Sequence, residues 1–187
     1  MISICLSDST SELTGILSLQ QDNLAQNITV DDKATQGFVT VRHSFDDIMK
    51  LHTIEPHVIA KESDKVVAYV LAMTQASRND IPVLVPMFEQ FNKVPYKGKL
   101  ISEYNYIVIG QTCISKDHRG KGLFDLCYQK YADTFSGKYD FAITEISTSN
   151  FRSLKAHQRM GFEVIHRFED EVEEWNIVLW DWKLPTS

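Results

Sequence analysis

The chain has 187 residues, 43% hydrophobic and 24% charged, enough for one core of ordinary soluble composition and short for two full domains, so a single domain over 1–187 is expected. With 19 basic against 25 acidic residues the net charge is −6, which argues against a nucleic-acid surface and suits a cationic or neutral partner. Three well-separated cysteines, Cys5, Cys113 and Cys127, argue against a disulfide scaffold or a structural zinc site; with no signal-like or membrane-spanning run, the expectation is a cytoplasmic protein with no metal and no membrane partner.

In chain order, residues 2–6 read as a strand and 7–10 as the polar loop behind it. Residues 11–27 carry Leu13, Ile16, Leu17 and Leu24 at helical spacing, with Ser9 or Ser11 placed to cap and Gly15 as a weak point. The stretch 28–37 is loop-like or briefly helical, and 38–41 alternates weakly. A helix over 44–52 follows, with Ser44 as cap, Asp46 and Asp47 in its first turn, and Ile48 and Leu51 inward; Pro56 closes it. The β-rich runs 57–61 and 66–74 flank a polar turn and predict an antiparallel hairpin. Residues 75–100 hold Pro82, Pro86 and Pro95; a short helix over 86–92 and then a loop are expected, with Phe88, Phe91 and Tyr96 forming either a substrate wall or a satellite core. Strand 104–114, helix 122–135 and strand 139–146 make a β-α-β unit. Helix 151–160, stopped by Gly161, precedes two strands, 162–168 and 176–182, across the acidic turn 169–174. The sum is an α/β fold, a mixed sheet with helices on both faces.

The sharpest chemistry lies where the 104–114 strand meets the 122–135 helix. His118, Arg119, Gly120, Lys121 and Gly122 form a basic turn before a helix start whose Leu123, Leu126, Cys127 and Tyr131 are spaced for one face. Such a turn gathers unpaired N–H groups, the positive end of a helix dipole and two cations, which forecasts a phosphate or pyrophosphate site; a solvated turn is the competing use. The spacing fits neither a P-loop nor a dinucleotide fingerprint. On an unbroken period of two, the strand sends Ile107, Ile109 and Cys113 to one face and Tyr106, Val108, Thr112 and Ile114 to the other.

A second segment, 150–162 (NFRSLKAHQRMGF), joins the first, and together they resemble the GNAT superfamily of N-acetyltransferases. Arg119 and Gly122 match the first and fourth positions of its R/Q-x-x-G-x-G/A loop, with Phe124 in place of the final small residue. Asn150, Ser153, Gly161 and Phe162 stand in register with N-x-x-[AS]-x-x-x-Y-x-x-x-G-F, with His157 at the tyrosine position. The resemblance covers residues 104–162 and implies a central sheet splayed between the 104–114 and 139–146 strands. It implies acetyl-CoA as co-substrate, its pyrophosphate on Arg119, Gly120, Lys121, Gly122 and Leu123, its pantetheine arm along Thr112, Cys113 and Ile114, and Asn150 and Ser153 beside it.

The implied reaction is direct acetyl transfer to a primary amine in a ternary complex, a small-molecule amine being favoured over a protein acceptor. His157, at the tyrosine position, is the expected acid for the leaving thiolate as an imidazolium; a plain helix histidine is the other use. Glu103 is the nearest candidate base and Glu145 the second. Cys113 is open to a covalent role with His157 as its base, or to simple burial, which is favoured. The acidic turn 169–174 suits either a polycationic acceptor or solvent, Trp180 and Trp182 a core or a homodimer contact. A non-catalytic acyl-CoA-binding regulatory module, another acyl-CoA or a hydroxyl acceptor are the alternatives.

Overall fold

The computed structural model describes residues 1–24, 27, 39, 41–171 and 173–183; the expected loop over 28–37 lies outside them. Nine strands and five helices are defined among the described residues. Strand β1 (Ile2–Leu6) leads to α1 (Thr10–Asn23) and α2 (Phe45–Ile54), then β2 (Val58–Glu62) and β3 (Lys65–Thr74). Helix α3 (Val85–Phe91) and a small pair, β4 (Pro95–Tyr96) and β5 (Lys99–Leu100), precede β6 (Ile107–Ile114). Helix α4 (Leu123–Phe135), β7 (Ala142–Ser147), α5 (Phe151–Arg159), β8 (Glu163–Glu169) and β9 (Glu174–Trp180) complete the order.

Seven strands form one sheet in the order β1-β2-β3-β6-β7-β9-β8, and only β6 and β7 are parallel neighbours. The expected hairpin is β2–β3. The turn between β4 and β5 uses Lys97 at φ 44° and Gly98 at φ 85°, a two-residue hairpin where a loop was expected.

Local chemistry explains where the helices begin. Ser9 caps α1 by accepting from the Glu12 N–H, and Ser44 and Asp47 cap α2 reciprocally. Helix α1 stops at Asn23, earlier than expected, and buries Leu13, Ile16 and Leu19 while Leu17 is only partly covered. In α4 the buried stripe is Leu123, Cys127, Tyr128, Tyr131 and Phe135; Leu126, expected inside, is 54% exposed because Tyr128 takes the inward position. Burying each such aromatic contributes about 2–3 kcal/mol.

The core has two faces. Helices α4 and α5 cover one, over Ile107, Ile109, Ala142, Ile146, Val178 and Trp180. Helices α1, α2 and α3 cover the other, where Phe88, Phe91, Tyr106 and Phe141 form the satellite core and Tyr96 packs against it. Gly15 lets α1 lie close against the sheet: a Cβ there would lie 2.8 Å from Val66 Cγ2. Gly15→Ala should therefore lower stability by about 1–2 kcal/mol in urea melts instead of adding the usual helix-propensity gain, and Val66→Ala in the same chain should remove that loss.

Candidate active site

Strands β6 and β7 pair at only two positions, Ile107 with Ala142 and Val108 with Ile143. Beyond them the strands part. The Thr144 hydroxyl donates to the Ile109 carbonyl at 2.8 Å across the fork. On its other side, β6 opposes Leu71 of β3 with two residues, Gly110 and Gln111, because the register steps from Ala72–Ile109 to Val70–Thr112. This bulge overturns the expected alternation. Thr112 and Ile114 join Ile107 and Ile109 on the α4 face, whereas Gln111 and Cys113 turn toward α1.

The parted strands open two connected clefts. The outer, about 300 Å³, is lined by Thr112, Ile114, His118, Arg119, Gly120 and Gly122, with Asn150, Ser153 and His157 across from them. The inner, about 130 Å³, lies in the fork between Gly110, Gln111 and Glu145, and shares Thr112, Asn150, Ser153 and His157 with the outer.

At the outer end Gly120 and Gly122 have φ of 73° and 77°, and a Cβ on either would meet nothing within 4 Å. The glycines are needed for the backbone path, which leaves the space beside them open. Gly122 is the N-cap of α4 and supplies no side-chain cap, so the first-turn N–H groups are left for an outside acceptor. These residues fit a pyrophosphate, mainly through backbone donors. The Arg119 guanidinium is spent on structure: Nε donates to the Ile114 carbonyl at 3.1 Å and Nη2 to Asn23 Oδ1 at 2.6 Å. Lys121 is exposed, and Leu123 buries its side chain in the core. Phe124 folds back, stacked on Tyr128 at 4.1 Å and edge-on to His157 at 5.2 Å, so its bulk leaves the glycine turn intact.

Helix α5 presents the opposite wall. Asn150 caps it by accepting from the Ser153 N–H, and Gly161 at φ 100° ends it with Gly161 N–H bonded to Gln158 O and Phe162 N–H to His157 O. This pins His157, 4% exposed, between Ser153 and Tyr128. Its Nδ1 lies 2.8 Å from the Ser153 carbonyl and its Nε2 2.6 Å from the Tyr128 hydroxyl, which lies 2.9 Å from Thr112 Oγ1. Burial holds the imidazole pKa down at about 4. The ring is neutral at neutral pH, correcting the expected imidazolium.

The two candidate bases separate clearly. Glu103 is exposed, caps the turn before β6 by accepting from the Leu100 N–H at 2.7 Å, and is absent from the lining of both clefts. Glu145 lines the inner cleft, and its Oε1 is buried with no hydrogen-bond partner among the described residues. Burial, reinforced by the Asp170 charge, raises its pKa to about 8. Cys113 is buried on the α1 face and its thiol is pushed up to about 12, which suits packing and not nucleophilic attack. Tyr128 and Gln111 are site residues that the sequence reading missed; the signal for Gln111 was a polar residue in the middle of an apolar strand.

The sequence pattern described as the acetyltransferase (GNAT) family matches residues 25–162. No curated protein matches the chain. Among solved structures the chain is similar to the ribosomal-protein-S18-alanine N-acetyltransferase from Escherichia coli, at 11% identity and a TM-score of 0.66 over 100% of this chain and 97% of that one. It is also similar to an acetyltransferase of the GNAT family from Streptococcus agalactiae, at 12% identity and 0.66 over 98% and 96%. A third is Arabidopsis thaliana Naa50 in complex with a bisubstrate analogue, at 14% identity and 0.62 over 97% and 99%. At these identities the likeness is one of fold.

The raised Glu145 pKa has a direct consequence for stability. Its folded value, about 8, lies above the ordinary 4.5, so the folded chain holds a proton that the unfolded chain releases. That contribution is present below about pH 4.5 and is lost as pH rises through about 8. Glu145→Gln should therefore gain on the wild type by about 2–4 kcal/mol across this window and run parallel above it, as read from urea melts at stepped pH.

Proposed function

The chain belongs to the acetyltransferase (GNAT) family, and we propose that within it the protein transfers the acetyl group of acetyl-CoA directly to the primary amine of a small molecule. The observation that carries this reading is the junction of two clefts at the β6–β7 fork, one beginning at a helix start without a side-chain cap and the other ending at a carboxyl oxygen, Glu145 Oε1, unpaired among the described residues. The outer cleft suits the pyrophosphate at the Gly120–Gly122 turn, and the unpaired edge of β6 suits a pantetheine arm that takes the place of a neighbouring strand. Backbone donors at the bulge are fixed before reaction and would stabilise an oxyanion without reorganisation. The inner cleft, about 130 Å³, suits an amine on a slender chain.

Glu145, not Glu103, takes the role of base. Its carboxylate accepts one proton from the acceptor ammonium, and the freed nitrogen lone pair attacks the thioester carbonyl carbon. The C–S bond breaks as the tetrahedral adduct collapses, and the second ammonium proton ends on sulfur. The step yields an amide and free CoA, and Glu145 then returns its proton to water.

The test is release of free CoA across a panel of primary amines. Glu145→Gln should lower kcat by about 10²–10⁴-fold with little change in KM for acetyl-CoA. The wild-type kcat/KM should rise with pH toward a plateau beyond about 8. CoA binding with no thiol release on any amine would overturn the enzyme and favour an acyl-CoA-binding module.

A further inference from the structure

The contacts from Ser153 to Thr112 have a single consistent direction. A carbonyl oxygen only accepts, so His157 Nδ1, 2.8 Å from the Ser153 carbonyl, carries the ring proton. The neutral ring then has only a lone pair on Nε2, so the Tyr128 hydroxyl, 2.6 Å away, donates to it. Tyr128 has one hydroxyl hydrogen and has used it. The 2.9 Å contact to Thr112 is therefore a bond in which Thr112 donates and Tyr128 accepts. The opposite tautomer would set an Nδ1 lone pair against the carbonyl oxygen at 2.8 Å and leave it only the longer 3.4 Å contact with the Ser153 hydroxyl as a donor. Thr112 is left with lone pairs alone, and it stands where the two clefts join.

We infer that Thr112 acts as a hydrogen-bond acceptor for an amide N–H of the pantetheine arm, held in that state by Tyr128 and His157 as positioning residues. This rests on the acyl-CoA reading above. The arm must pass the junction to run from the glycine turn to the fork; of the donors it brings, its hydroxyl lies nearer the pyrophosphate and its two amide N–H groups nearer the thioester. The same polarity means that this chain of side chains offers no proton to the departing sulfur. His157 replaces a tyrosine hydroxyl without taking over acid chemistry; it orders a hydrogen bond two residues away.

Two measurements test the inference. Nitrogen-15 NMR of the imidazoles should show His157 as one neutral tautomer, protonated on Nδ1, from pH 5 to pH 9 with and without CoA. A proton on Nε2, or a titration midpoint inside that range, overturns the stated direction. By calorimetry with CoA, Thr112→Val should weaken binding about five- to tenfold and Thr112→Ser should restore it to within about twofold. Thr112→Val binding CoA as tightly as wild type overturns the acceptor role. Failure of the wild type to bind CoA would overturn the acyl-CoA reading and the ligand half of this inference, while the imidazole signals still decide the direction.

Discussion

The site depends on one constraint: a parallel strand pair that stops after two residues. Backbone N–H and C=O groups must find partners, and a strand edge that leaves its neighbour inside a fold still needs them. Here the edge of β6 from Ile109 onward faces a cleft instead of β7. The Thr144–Ile109 bond keeps the fork from opening further, and the bulge at Gly110 and Gln111 lets β6 bend away while it stays paired with β3. Remove the parting and neither cleft has a floor.

The bulge also divides the side chains between the two faces. Gln111 becomes a hub on the α1 side, accepting from Gln20 and the Tyr69 hydroxyl and donating to the Val41 carbonyl. Thr112, one residue on, joins the opposite network through Tyr128 and His157. Buried polar groups are tolerated when each is paired, and both networks meet that condition along these bonds. Glu145 Oε1 is the contrast in the same cleft. Its cost is recovered only if something arrives to take the place of the missing partner.

Most of the framework was legible because it is local. Ser44 with Asp47, Asn150 with Ser153, and Gly161 before Phe162 are cap chemistries that a few residues dictate, and they sit where the sequence placed them. The glycine turn was legible for the same reason. The misreadings came from facts that no short window contains. One extra residue in β6 reverses the faces of everything after it, so Thr112 and Cys113 exchanged places. Tyr128 displaced Leu126 because packing against Phe162 and His157 outweighed the simple stripe. The charge states of His157 and Glu145 follow from burial, which the sequence does not print.

Strand β9 lies between β7 and β8 although it is the last of the seven in chain order. Until residues 174–180 have docked, β7 has one neighbour, held at two positions only, and β8 has none. Sequential growth would therefore leave the most weakly held strand of the sheet waiting for its principal support. Insertion of β9 is a long-range closure of the kind that slows folding and exposes strand edges on the way. In chain order, the fork is thus also the part of the sheet that gains its full set of neighbours last.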